Sequence, residues 1–283
     1  MSSFVFPRYA LIAIGLLFIT IAGCDDAQEK IRFDKRSEFE RILVVDKGGE
    51  RYLRFGKADS GNQSTISLSD PDTIPTEYIR FAMLGVLMTP GPERVLMIGL
   101  GGGTFTSLLR RHYPGLWIDV AEIDPVVVEA AREFFGVHED ERLRIHVADG
   151  AKFIRDAEQV YDLVLLDAYS GEGIAEDLTS TTFFDAVKAR LSNSGVAILN
   201  LWSQGARERL IADVFRRSFP NTACIRSEDG YNLVVFGRTS KMPGQNELIT
   251  AARRLTHEFS LSFDLVEIAE RLIFQPWCPP IQK

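Results

Sequence analysis

Apolar positions change their spacing several times along the chain. Residues 10–22 form an unbroken run of mostly Leu, Ile, Ala and Phe, and the stretch 9–23 carries no charge over 15 residues. That is shorter than the roughly 20 residues a membrane-spanning helix needs. Residues 25–38 (DDAQEKIRFDKRSE) are polar and read as a tether. Residues 42–46 and 51–55 are β-rich runs joined by Lys47-Gly48-Gly49-Glu50, a hairpin signal. Residues 63–68 read as a third strand, ended by Asp70-Pro71-Asp72, so 39–75 is expected to be a small β-hairpin module. Tyr78, Phe81, Ala82, Leu84, Gly85 and Met88 then recur at helical spacing, and Thr89-Pro90-Gly91-Pro92 stops that helix.

From residue 93 the pattern alternates between short apolar runs and amphipathic segments. Strands are expected at 94–98, 117–122, 143–147, 163–167 and 196–201. Helices are expected at 104–112, 125–135, from about 149, at 180–191 and at 206–219. Apolar strands alternating with helices imply a parallel sheet covered on both faces. Two late strands, 223–226 and 232–237, flank the turn Glu228-Asp229-Gly230 and suggest an antiparallel edge hairpin. The main domain is expected over 76–240, followed by a helical, then Pro-rich tail over 241–283.

Composition narrows the classes. The 283 residues include 46% hydrophobic and 25% charged side chains, ordinary values for a chain with a sizeable core. A net charge of −7 argues against a nucleic-acid binder, which needs a basic footprint. Three cysteines are too few for a disulfide scaffold, and His112, His138, His146 and His257 show no metal-ligand spacing, so no metal is expected.

The first 24 residues are set aside as a targeting segment. Ile21-Ala22-Gly23-Cys24 resembles a bacterial lipoprotein box. The resemblance implies cleavage before Cys24 and lipidation of its sulfur. Arg8 favours a cytoplasmic N-terminus, which places the body on the periplasmic or extracytoplasmic side as a membrane-anchored lipoprotein. Outside the cytosol Cys224 and Cys278 could pair; two isolated buried thiols are the alternative.

A strand, a glycine-rich turn (Gly99-Leu100-Gly101-Gly102-Gly103) and a helix form a nucleoside-approach motif. Thr104 stands where the third glycine of GxGxxG would fall. Glu122 ends the next strand 23 residues after Gly99, where an acid can accept from both ribose hydroxyls. Asp149-Gly150 follows the third strand and Asp167 the fourth, and ligands in such sheets bind at the carboxyl ends of strands. Three acids at successive strand ends suit a cationic ligand, such as a sulfonium nucleoside or an amine, and suit a pyrophosphate poorly. No GK[ST] follows the glycines, which disfavours triphosphate hydrolysis.

The stretches VLMIGLGGGTFTSLLRRHYPGLWIDVAEIDPVVVEAAREFFGV, RLRIHVADGAKFI and YDLVLLDAYSGEG resemble the spermidine synthase (polyamine aminopropyltransferase) family, and most closely its divergent, membrane-associated members. RILVVDKGGERYLRFGK, Gln63-Ser64 and Tyr78 extend the resemblance over roughly 40–238. It implies a Rossmann-like α/β fold of the S-adenosylmethionine-dependent methyltransferase type, preceded by the β module. It implies no prosthetic group, and decarboxylated S-adenosylmethionine or S-adenosylmethionine as co-substrate. By the resemblance, Glu122 holds the ribose, Asp149 with Gly150 the adenine, and Asp167 faces the transferred aminopropyl group. Gln63 and Tyr78 line the cleft, while Gly99, Gly101 and Gly103 bring backbone against the ligand. Homodimerisation is implied by analogy alone.

Two positions depart from the family pattern. Gly102 stands where the glycine loop carries an acid, and Ser170 stands at the second Asp of the Asp-x-x-Asp box. Glu172 and Tyr78 are the candidate replacements for the missing proton acceptor. The leading expectation is aminopropyl transfer to a polyamine-type amine. The alternatives are an S-adenosylmethionine-dependent methyltransferase and a non-catalytic nucleoside- or polyamine-binding lipoprotein. The last fits an extracytoplasmic address, because both sulfonium donors are made in the cytosol.

Overall fold

The computed structural model describes residues 28–56, 61–170, 173–174, 176–202 and 206–274, with Ser170 given by its backbone alone. The proposed signal segment with Cys24, the loop acid Glu172 and Cys278 lie outside the described residues. Among the described residues no helix is long and apolar enough to cross a membrane.

The first elements are β1 (Lys30–Arg36), β2 (Arg41–Lys47), β3 (Glu50–Phe55), β4 (Asn62–Ser67) and α1 (Glu77–Met88). Then come β5 (Arg94–Ile98), α2 (Thr104–His112), β6 (Trp117–Glu122), α3 (Pro125–Phe134), β7 (Leu143–Val147), α4 (Gly150–Asp156) and β8 (Tyr161–Leu166). A two-strand pair, β9 (Tyr169–Ser170) and β10 (Gly173–Ile174), precedes a 3-10 turn at Glu176–Thr179 and α5 (Thr181–Ala189). The chain continues through β11 (Leu191–Trp202), α6 (Ala206–Ser218), β12 (Asn221–Arg226), β13 (Asn232–Arg238), α7 (Gln245–Phe259) and α8 (Leu265–Glu270).

Among the described residues, β5–β8 and β11–β13 build a seven-stranded sheet in the order β12-β13-β11-β8-β5-β6-β7. It is parallel from β11 to β7, and β13 and β12 run antiparallel at one edge. Successive strand residues point to opposite faces, so the apolar runs feed two cores. Val95, Met97, Leu163, Leu165, Val196 and Ile198 pack under α1, α2, α7 and α8. Leu96, Ile98, Val164, Leu166, Ala197 and Leu199 pack under α4, α5 and α6.

The N-terminal module is a four-stranded antiparallel sheet, β1-β2-β3-β4. Here the sequence reading needs correction. Lys30–Arg36 is not a tether; it is an edge strand paired along β2. Its polar sequence fits an edge position with exposed faces, where hydrophobic patterning gives no signal. The module's inner face (Ile42, Val44, Leu53, Phe55) packs on Val126, Val127 and Ala130 of α3 and on Phe135. Polar bonds add to the junction, among them Lys35 Nζ to Glu129 Oε2 at 2.6 Å and Arg51 Nη1 to Phe134 O at 2.8 Å. Ser37 Oγ donates to Asp124 Oδ2 at 2.6 Å while Asp124 Oδ1 caps α3 by accepting from Val126 N. Gly102 N donates to Ser64 Oγ at 2.8 Å, tying β4 to the glycine turn.

Smaller differences concern boundaries. β8 begins at Tyr161, so Asp167 sits just past the strand end, and β11 is 12 residues long. The tail folds back on the sheet edge: Cys224 and Ile273 exchange both backbone hydrogen bonds at 2.9 Å. Cys224 is disulfide-bonded, which sets aside the alternative of an isolated buried thiol.

Candidate active site

At the carboxyl ends of the parallel strands lies a cavity of about 740 Å³. It is roofed on one side by the N-terminal sheet and the start of α1, through Phe55, Gln63 and Tyr78. Its described lining carries five carboxylates, Glu122, Asp149, Asp167, Asp177 and Asp229, and no Lys, Arg or His. Such a wall attracts a cation and repels an anion.

The glycine turn sets the floor. Gly99 has φ +95°, and a Cβ there would lie 2.3 Å from the carbonyl oxygen of Asp167. Only glycine lets the ends of β5 and β8 approach this closely. Gly101 and Gly150 also line the cavity. Gly103 does not: it is the left-handed N-cap of α2, and its missing side chain makes room for Val137. Its place in the sequence motif reflects packing, so the expectation that it touches ligand is set aside.

Glu122 closes the neighbouring strand. It is 8% exposed, and its two oxygens accept from Leu100 N at 2.8 Å and Asp124 N at 2.9 Å. Burial pushes its carboxyl up, against the pull of those amides. The amides fix the carboxylate plane, and each oxygen keeps a further lone pair for a ligand hydroxyl. Asp149 is exposed, caps α4 through Lys152 N at 2.8 Å, and lies beside Gly150 on the same rim.

Asp167 occupies the middle of the cavity floor. Burial pushes its pKa up to about 6, opposed by hydrogen bonds from Asn200 and Tyr78. Asn200 Nδ2 donates to Asp167 Oδ1 at 2.8 Å. The Tyr78 hydroxyl is itself held well above its ordinary pKa by burial and by Asp167, so it stays protonated and donates. Asp167 is therefore an anion at neutral pH that remains basic enough to take a proton.

Beyond Asp167 the wall becomes aromatic. Tyr169 stacks on Trp202 with centroids 4.6 Å apart and 15° between planes. The Tyr169 hydroxyl donates to Asn200 O at 2.7 Å and accepts from Trp202 N at 2.8 Å, so the stack is locked to β11. Asn232 Nδ2 donates to Asn200 Oδ1 at 3.0 Å, and Asp229 and Tyr231 complete the lining.

The structure thus brings Gln63, Tyr78, Gly99, Gly101, Glu122, Asp149, Gly150 and Asp167 to one cavity. Ser170 lies in β9, paired with Gly173, which also lines the cavity. Sequence reasoning missed Asn200, Tyr169, Trp202, Asp177, Asp229 and Tyr231. The strand-end rule, applied to β11, would have found Asn200 and Trp202. Asp229 and Tyr231 required the further step of seeing that an antiparallel β13 starts at the same rim.

Comparison with known proteins places this geometry. The spermine/spermidine synthase domain matches residues 76–227. The polyamine aminopropyltransferase of Vibrio vulnificus is 32% identical over 252 residues, covering 87% of this chain and 84% of the relative. A probable spermidine synthase from Corynebacterium glutamicum shares the fold with a TM-score of 0.66 at 19% identity, over 81% of this chain and 87% of that one. Human methyltransferase-like protein 13, solved in complex with SAH, gives a TM-score of 0.60 at 25% identity, over 65% of this chain and 92% of that one.

Proposed function

Because the chain belongs to the spermine/spermidine synthase family, we propose that it transfers an aminopropyl group from decarboxylated S-adenosylmethionine to an amine of the polyamine class. The observation that carries the reading is the cavity wall, with five carboxylates and no basic side chain among its described residues. The donor is a sulfonium with a terminal ammonium, and the acceptor is an amine. S-adenosylmethionine itself brings a carboxylate, for which that wall has no counter-charge.

In this reading Glu122 accepts from the ribose hydroxyls, and Asp149 with Gly150 meets the adenine. The acceptor nitrogen attacks the methylene carbon next to the sulfonium. The N–C bond forms, the C–S bond breaks with its electron pair returning to sulfur, and neutral methylthioadenosine leaves. The attacking nitrogen must shed a proton, and in this reading Asp167, which accepts hydrogen bonds from Tyr78 and Asn200, receives it. With the family's second acid replaced by Ser170, that task falls on Asp167. General-base help of this kind is worth about 10²–10⁴-fold, and holding the two reactants together supplies much of the remainder.

The test is incubation with decarboxylated S-adenosylmethionine and 1,4-diaminobutane, with chromatography of both products. Equal release of methylthioadenosine and the extended polyamine supports the reading. S-adenosylhomocysteine formed from S-adenosylmethionine, or binding of the donor without turnover, overturns it. Anchoring through Cys24 is a separate proposal, supported by the Ile21-Ala22-Gly23-Cys24 box after an apolar run. Lipid labelling that persists in Cys24→Ala would refute it.

A further inference from the structure

We propose that Arg271, at the end of α8, is a positioning residue: it pins the start of α1 to the turn between β12 and β13, and so holds Tyr78 against Asp167. The inference rests on the aminopropyl-transfer reading for the task of Asp167.

Helix α1 starts without the usual help. The first amides of a helix have no partner within it, and an N-cap side chain ordinarily serves one of them. Thr76 is the N-cap of α1, yet its side chain makes no such bond. Tyr78 is the second residue of this helix, is buried, and donates its hydroxyl to Asp167. Around Asp167 the ionisable neighbours are Tyr78 on α1 and Tyr169 on β9, with Asn200 donating from β11. The place of the first turn of α1 therefore sets one of the bonds on Asp167.

That turn is held from far along the chain. Glu77 Oε2 accepts from Glu228 N at 2.9 Å, and Glu77 Oε1 lies 3.7 Å from Arg271 Nη1. Arg271 Nη1 also donates to Glu228 Oε1 at 3.3 Å, and Nη2 donates to Arg226 O at 3.1 Å. The guanidinium carbon sits 5.3 Å from the centre of the Phe81 ring, one helical turn beyond Glu77. One planar cation thus touches α1 at two residues and the end of β12 and its turn at two more, which a compact ammonium could not do. The Glu228 carboxylate is 74% exposed, so its share is small. The Glu77 pair and the Arg226 carbonyl bond are better shielded and carry the junction. Arg271 is itself fixed on both sides. Its N–H bonds Glu267 O in α8, and two residues later Ile273 exchanges backbone bonds with Cys224 of β12. Without the guanidinium, Glu77 and Glu228 would meet as like charges.

The experiment compares Arg271→Gln in wild type and in a Tyr78→Phe background. Arg271→Gln keeps side-chain N–H donors and loses the cation. Misplacing a group near the chemistry by about 1 Å can cost about 10²-fold, so kcat should fall about 10-fold or more. Methylthioadenosine affinity, read by calorimetry, should stay unchanged, because Glu122 and Asp149 lie on other elements. The Asp167 carboxyl, followed by infrared difference spectra, should titrate at higher pH as the Tyr78 bond weakens. In Tyr78→Phe, Arg271→Gln should change neither kcat nor that titration. Equal shifts in both backgrounds would mean that the charge acts through space, and would overturn the proposal. So would a lower melting temperature with kcat and titration unmoved. Glu77→Gln, which keeps an oxygen for Glu228 N, should move kcat and titration in the same direction, and it decides the matter if Arg271→Gln does not fold. The spectroscopic arm needs no turnover. A shifted titration in a protein that never turns over would keep the junction and sink aminopropyl transfer; turnover with an unmoved titration would do the reverse.

Discussion

Asn200 donates its side-chain N–H to Asp167 at 2.8 Å while its own amide oxygen accepts from Asn232, which fixes which way the amide faces. The bond stabilises the carboxylate form of Asp167 against the burial that pushes its pKa up to about 6. Asn200→Ala removes the donor, so the Asp167 carboxyl should titrate above 6. Infrared difference spectra against Asp167→Asn would report this directly. Activity that needs the anion rises with pH through that value, so the acidic limb of the rate profile should move toward alkaline pH in Asn200→Ala.

Asp167→Asn tests the proton-acceptor role. It preserves shape and loses the base. We expect kcat to fall by about 10²–10⁴-fold, with methylthioadenosine affinity, read by calorimetry, within a few-fold of wild type.

Glu122 carries both a ligand role and a structural one. Glu122→Gln should weaken methylthioadenosine binding about 10-fold or more, because one oxygen becomes a donor. Glu122→Ala should abolish binding and also lower stability, since Leu100 N and Asp124 N lose their partners. An orphaned buried amide costs about 1–3 kcal/mol, measurable in urea titrations. Unchanged affinity in both variants would remove Glu122 from the site.

Gly102→Asp would put an acid into the glycine turn, and it should fail to raise activity. A Cβ at Gly102 would lie 2.8 Å from Phe135 Cδ1 and 2.9 Å from Ser64 Cβ. The loop must shift, and with it the Gly102 N to Ser64 Oγ bond. A lower melting temperature with no gain in kcat/KM is the expected result.

Most of the main sheet was readable from the sequence because its strands are buried on both faces and its helices are amphipathic. Val95–Ile98 and Leu163–Leu166 announce themselves as apolar runs, and Asp124 and Asp149 mark helix starts. That Glu122, Asp149 and Asp167 line one cavity followed from where acids fall after those runs. What escaped notice had no periodic signal. Lys30–Arg36 is polar and exposed almost throughout, and its pairing with β2 rests on backbone bonds and on the ion pairs Arg32–Asp46 and Asp34–Arg41, which leave no hydrophobic pattern to read. Gly103 looked like a ligand glycine, yet its contact is Val137, 34 residues away and visible only after folding. Trp202 and Tyr231 reach the cavity through strand order, a property of the whole sheet.

The direction of β13 has a consequence for how such a site can diversify. Because this strand runs backwards relative to β11, the tight turn ahead of it opens on the cavity rim, where Asp229 and Tyr231 line the wall. A lineage that rewrote only the few codons for Glu228 to Tyr231 would reshape that wall and keep the parallel strands of the sheet as they are.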